Sequence, residues 1–146
     1  MKKILLLVTC QLFIMCSTTN IQVRDDFKSV SDTEKAKILK DLNATASNKS
    51  VLILTQGFKG EQILAFQNNK KTYADYPISN LKTKYADSFS FQNTTTLTLK
   101  DNFTNEEIKI EPKNATKYKF IYVMKKYENE KAKYLLTYSN TLRPLK

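Results

Sequence analysis

Lys117-Tyr118-Lys119-Phe120-Ile121-Tyr122-Val123-Met124-Lys125-Lys126 is the stretch that decides the fold class. Successive side chains of a strand point to opposite faces. One face here carries Lys117, Lys119, Ile121, Val123 and Lys125; the other carries Tyr118, Phe120, Tyr122, Met124 and Lys126. Both are apolar in the middle and charged at the ends, the profile of a central strand covered on both sides. Downstream, Tyr127 to Lys131 is a charged turn. Tyr134-Leu135-Leu136-Thr137-Tyr138 is the last strand, before a short tail from Asn140 to Lys146.

Upstream of that stretch the same pattern recurs. Glu107-Ile108-Lys109-Ile110-Glu111 alternates until Pro112 stops it, and Asp101 to Asn105 turns the chain before it. Ser88-Phe89-Ser90-Phe91-Gln92 and Thr96-Leu97-Thr98-Leu99-Lys100 alternate strictly, with Asn93-Thr94-Thr95 between them as a hairpin connection. Ile78 to Asp87 reads as a loop. Lys71-Thr72-Tyr73-Ala74 is a poorer strand, stopped by Pro77, and Asn68-Asn69 joins it to Glu61–Gln67 because Asn tolerates the left-handed region. Val51-Leu52-Ile53-Leu54-Thr55 is a continuous apolar run suited to a strand covered on both faces, with Glu61 to Gln67 as its return strand. The only two glycines, Gly57 and Gly60, are both spent on that connection, where positive φ is expected.

Phe27 to Leu42 carries the helical signal. Ser31 and Glu34 have capping-box spacing, Asp32 and Glu34 put negative charge in the first turn, and Ala36, Ile38, Leu39 and Leu42 form a narrow apolar stripe. Such a helix packs on the domain's edge or, alternatively, docks a partner. The chain therefore reads as all-β: an antiparallel β-sandwich or small open barrel of about eight strands with one short N-terminal helix.

Composition narrows the chemistry. The chain has no histidine, and its two cysteines, Cys10 and Cys16, both lie near the start. His-dependent triads, cysteine nucleophiles in the body of the chain and the common zinc sites are thereby excluded. Two glycines cannot build a glycine-rich phosphate loop, so no cofactor is expected. Asp25-Asp26 and Glu106-Glu107 are sequence neighbours, which in a strand point to opposite faces and do not share an acid/base site. A non-enzyme is expected; a small hydrolase is the less favoured reading. The formal charge is +10, yet of 24 basic residues only Arg24 and Arg143 are arginine, the residue that phosphate-reading surfaces favour. No nucleic-acid partner is expected. The binding candidates are Tyr118, Tyr122, Tyr127, Tyr134 and Tyr138, interleaved with lysines on the last two strands. Alternatively, cross-strand aromatic pairs fill a sheet face.

The first sixteen residues carry an address. Lys2-Lys3 precede the apolar runs Ile4-Leu5-Leu6-Leu7-Val8 and Leu12-Phe13-Ile14-Met15, which end at Cys16-Ser17-Thr18. A cationic start, an apolar centre and a small polar exit make a secretory signal, too short to cross a bilayer permanently. The tetrad Phe13-Ile14-Met15-Cys16 resembles the acylation box of bacterial lipoproteins in the looser form found in Bacteroidota, with Phe13 and Met15 departing from the usual pattern. That resemblance implies lipid attachment at Cys16, a signal peptide over 1–16, a tether over 17–30 and a single β-rich domain over 31–146. The lack of acidic residues in Ser17-Thr18-Thr19-Asn20-Ile21 implies an outer-membrane lipoprotein facing the periplasm. Its partners would be the membrane, through the lipid anchor, and a protein complex of the envelope. A soluble periplasmic binder or immunity-type inhibitor is the alternative.

Overall fold

Nine strands and two helices follow one another in a computed structural model that describes residues 19–129 and 131–146. They are β1 (Thr19–Val23), α1 (Asp32–Asp41), β2 (Lys49–Leu54), β3 (Ile63–Gln67), β4 (Lys70–Asp75), β5 (Asp87–Gln92), β6 (Leu97–Asp101), β7 (Glu107–Ile110), α2 (Pro112–Ala115), β8 (Phe120–Glu128) and β9 (Lys131–Ser139). The strands form a five-stranded sheet ordered β1-β9-β8-β2-β5 and a four-stranded sheet ordered β4-β3-β6-β7, with no closed barrel. The segment expected to be a signal peptide, with Cys10 and Cys16, lies outside the described residues.

β8 sits in the middle of the larger sheet because both of its faces are apolar. Ile121 and Val123 turn inward with Leu52 and Leu54 of β2, and meet Ile63, Ala65, Leu97, Leu99, Ile108 and Ile110 of the smaller sheet. Phe120 and Tyr122 turn outward with Val51 and Ile53, into a second cluster closed by Val30, Ala44, Leu142 and Leu145 and flanked by Ile38, Leu39 and Leu42. The described residues thus form two stacked sheets with α1, residues 27–30 and residues 142–145 over the outer face of the larger one. Full burial of one such aliphatic side chain stabilises by about 1.5–3 kcal/mol. α1 starts where the Ser31 hydroxyl accepts from the Glu34 amide at 3.2 Å. It ends in a left-handed Asn43 (φ 50°), whose amide bonds Lys40 O while that of Ala44 bonds Leu39 O.

Several expectations need correction. The larger sheet is mixed rather than antiparallel, since β1 runs parallel to β9 and β2 parallel to β8. The two parallel pairs follow from chain crossings that alternation along one strand cannot show. β5 and β6 do not form a hairpin; they belong to different sheets. Asn93 explains why: its amide nitrogen donates to Ser47 O and Ser50 Oγ, and its backbone N–H to Asn48 O. These bonds close the end of the first sheet and release the chain to the second. β2 and β3 likewise cross between sheets through the Gly57–Gly60 loop, so Glu61–Gln67 does not return along β2. Asn68 (φ 49°) and Asn69 (φ 61°) do make the tight turn between β3 and β4, in the left-handed region.

The segment expected to be a tether is folded over residues 19–30. β1 pairs with β9 over its whole length, the Asp25 carboxylate accepts from the Ser139 hydroxyl (2.8 Å) and the Asn140 amide (2.7 Å), and Val30 is buried. β9 would otherwise expose a row of unpaired backbone groups. Pro112, read only as a strand stop, also opens α2 at its first turn, where its missing N–H costs nothing.

Candidate functional site: the charged and aromatic end of the sheets

Lys125 continues the inward face of β8 beyond Ile121 and Val123, so its ammonium group is carried into the space between the sheets. Its side chain is fully buried, and a buried cation must be paired. The topology supplies two carboxylates. Glu61 arrives from the β2–β3 loop and Asp101 from the end of β6, and both accept from Lys125 Nζ. Tyr134 of β9 donates its hydroxyl to Asp101 Oδ2 at 2.6 Å. Asp101 Oδ1 accepts the Phe103 and Thr104 amides at 2.9 and 3.1 Å, which shapes the β6–β7 turn. Glu61 Oε2 accepts the Lys59 amide at 2.7 Å. Every oxygen of the two carboxylates is engaged.

Gly57 makes this packing possible. Its φ of 93° belongs to the left-handed half of the map, and a Cβ there would lie 1.9 Å from the Lys125 carbonyl oxygen. The Lys125 amide in turn donates to Gln56 O at 2.9 Å, fastening the loop to β8.

The electrostatics follow from burial and pairing. Burial opposes charge on Lys125, but hydrogen bonds to Asp101 and Glu61 outweigh it and hold its pKa above the ordinary lysine value. Burial also opposes charge on Asp101, yet the Lys125 and Tyr134 hydrogen bonds keep its pKa below the usual carboxylate range. Burial, followed by the Asp101 hydrogen bond, pushes the Tyr134 hydroxyl up. Glu106, at the rim, is raised by burial and then by the nearby Asp101 charge. General acid–base catalysis needs a group poised to exchange a proton. Lys125, Asp101 and Tyr134 are each pushed away from that condition, and their hydrogen bonds tie β8 and β9 of the larger sheet to β6 and the β2–β3 loop. Of the carboxylate neighbours named from the sequence, Asp25 and Asp26 are divided between Ser139 and Arg24.

Over this locked floor opens a cleft of about 510 Å³ lined by Lys59, Gly60, Glu61, Phe103 and Tyr127. Phe103 is 76% exposed and Tyr127 41%. The ammonium groups of Lys59 and Lys125 each lie 5.0 Å from the Tyr127 ring centroid, within cation–π range. The β4–β5 loop adds exposed Tyr76, Ile78 and Leu81 to the same end, joined to it by the Lys59–Ile78 bridge and the Gly60 N–H to Pro77 O bond.

Of the five tyrosines proposed from sequence, Tyr127 is the one exposed at the surface. Tyr134 and Tyr138 are buried between the sheets, and Tyr118 is half-buried with its ring 5.7 Å from that of Tyr138. Tyr122 is buried on the outer face, where its hydroxyl donates to Thr141 O and accepts from the Arg143 amide. Burial removes Tyr122, Tyr134 and Tyr138 from any contact surface; they fill the sheet. No protein-family model and no curated protein matches this chain.

Phe103, Lys59, Glu61 and Asp101 were not singled out by the sequence. One signal did point to the two carboxylates: a lysine on the buried face of a central strand requires a carboxylate from elsewhere. The opposite end of the sheets differs in kind. A cleft of about 470 Å³ there is lined by Phe66, Asn68, Asn69, Thr94, Thr95, Thr96, Thr98 and Pro112, with no charged group.

Proposed function

We propose that the chain is a non-catalytic, membrane-anchored lipoprotein of the cell envelope, serving as a binding or accessory subunit of a larger outer-membrane or periplasmic protein assembly. The observation that carries this reading is the position of β1. Thr19 is already hydrogen-bonded into the larger sheet, three residues after Cys16 (19 − 16). Three extended residues span at most about 10 Å. A lipid on Cys16 would therefore hold the folded body close to the bilayer. The locked charges favour a rigid binding module over a reaction centre. Among the described residues no helix is long and apolar enough to cross a membrane.

Metabolic labelling with a palmitate analogue tests the anchor: the wild type should be marked and a Cys16→Ala variant should not. Purification from gently solubilised native membranes tests the subunit role and should recover a stoichiometric protein partner. An unlabelled wild type recovered without detergent would overturn the anchor and bring the soluble periplasmic binder forward. A labelled monomer without a companion would overturn the subunit role.

A further inference from the structure

Parallel pairing fixes where β1 begins relative to everything else. Thr19 stands beside Tyr134, which pairs with Lys125 across the β8–β9 hairpin. The axis of β1, followed back from Thr19, points the same way as β9 followed back to Lys131, toward the hairpin tip. An anchor within about 10 Å of Thr19 is thus at the charged and aromatic end of the molecule, not at the amide-rich one.

That end also holds most of the exposed apolar surface of the described residues. Seven large hydrophobic side chains are exposed among the described residues. Five of them, Tyr76, Ile78, Leu81, Phe103 and Tyr127, belong to its loops and hairpin; Ile21 and Val23 lie along β1, with Val23 beside Tyr138 toward the other end. None lies in the loops of the opposite end. Lys59 lies beside the Tyr127 ring, and exposed Lys126 and Lys131 neighbour that ring along the hairpin, where Glu128 is paired with Lys133 and the sequence also carries Glu130. Aromatic rings with an apolar body and a polar edge, ringed by lysines on long stems, suit the headgroup layer of a membrane. Lysines beside an anionic surface add attraction.

We infer that this end of the molecule is its bilayer-docking face: Phe103, Tyr127 and the Tyr76–Leu81 loop seat in the headgroup region beside the anchor, and Lys59, Lys126 and Lys131 contact anionic headgroups. The inference rests on the anchored reading for its geometry, but not for its chemistry, because the face can meet lipid with or without an acyl chain. Docking presses the locked end to the membrane and presents the uncharged cleft near Asn69 to the periplasm.

The test uses the full processed chain on two vesicle types, phosphatidylcholine alone and phosphatidylcholine mixed with phosphatidylglycerol. A polarity-sensitive fluorophore is attached at Phe103→Cys or, at the far end, at Asn69→Cys. The Phe103 probe should shift to the blue and be quenched by lipid-borne quenchers, more so with the anionic lipid, while the Asn69 probe stays water-like. Lys-to-Glu changes at 59, 126 and 131 should each weaken vesicle binding of the Cys16→Ala chain about fivefold. If the wild type takes the palmitate label yet its Phe103 probe remains as exposed as the Asn69 probe, docking is wrong and the anchor survives. If the label is absent but the Phe103 probe still enters lipid, docking survives and the anchor falls. A Phe103 probe that shifts only with a co-purified protein, and not on bare vesicles, would assign this end to a protein contact and overturn the inference.

Discussion

The two ends of the stacked sheets solve one structural problem with different chemistry. At the hairpin end, the larger sheet is tied to the smaller one through Lys125, Asp101, Glu61 and Tyr134. At the far end the tie is Gln67 of β3. Its amide nitrogen donates to Gln92 O at 2.7 Å and to Thr95, and its oxygen accepts the Gln92 amide at 3.1 Å. Ser50 and Asn93 complete the neutral clasp. Both ties satisfy every group they bury. They differ in what happens when one member is removed, and in whether protons matter.

The largest effect should come from Lys125→Ala. It leaves Glu61 and Asp101 facing each other in a buried space without a cation, a situation that costs about 3–5 kcal/mol. Chemical denaturation of the variant against the wild type measures it. A loss no larger than that of a surface lysine would mean that water reaches the cluster and that the two ends are not different in kind.

Next in size is the response to acid. Asp101 has a folded pKa below its unfolded one, so its stabilisation is present above the ordinary carboxylate pKa, near about 3.9, and is lost as the pH falls through the folded value. Lys125 is raised, so its contribution is present below about 10.4 and is lost as the pH rises through the folded value. Glu106 has the opposite sign to Asp101: its raised pKa favours folding when protonated and blunts the acid limb. Melting temperature should fall on acidification below about pH 4, and Asp101→Asn should flatten that limb. Identical acid limbs in wild type and variant would remove the charged tie from the account.

The smallest effect belongs to the neutral tie. Gln67→Leu leaves the Gln92 backbone groups without their partner and should cost about 1–3 kcal/mol. Its dependence on pH should match that of the wild type. A Gln67→Leu variant whose loss changed between pH 3 and pH 7 would break the contrast between the ends.

How much of this was visible beforehand depended on distance along the chain. The runs around Val51, Phe91, Leu97, Ile108, Ile121 and Leu136 announced strands because alternation and β-branching act locally. The Asn68-Asn69 turn and the two glycines were legible for the same reason. β1 was missed because Thr19-Asn20-Ile21-Gln22-Val23 has little apolar character and gains its strand from β9, more than a hundred positions away. The candidate site was missed because Glu61 and Lys125 are 64 residues apart, and only the crossing of β2 into β3 brings them together. The five tyrosines were chosen by type rather than by face. Residues 134 and 138 share the inward face of β9, which is why both are core.

Time enters through the pairing of β1 with β9. The first strand of the body finds its partner in the last one, with a separation of 115 positions between Gln22 and Thr137. During synthesis or export the leading segment must wait, unpaired, until the final hairpin has appeared. Contacts so distant in sequence close slowly, because loop entropy is lost before they form. On the anchored reading proposed above, lipid attachment at Cys16 would precede the capture of β1, and the completed sheet would then shorten the leash by drawing Thr19 in.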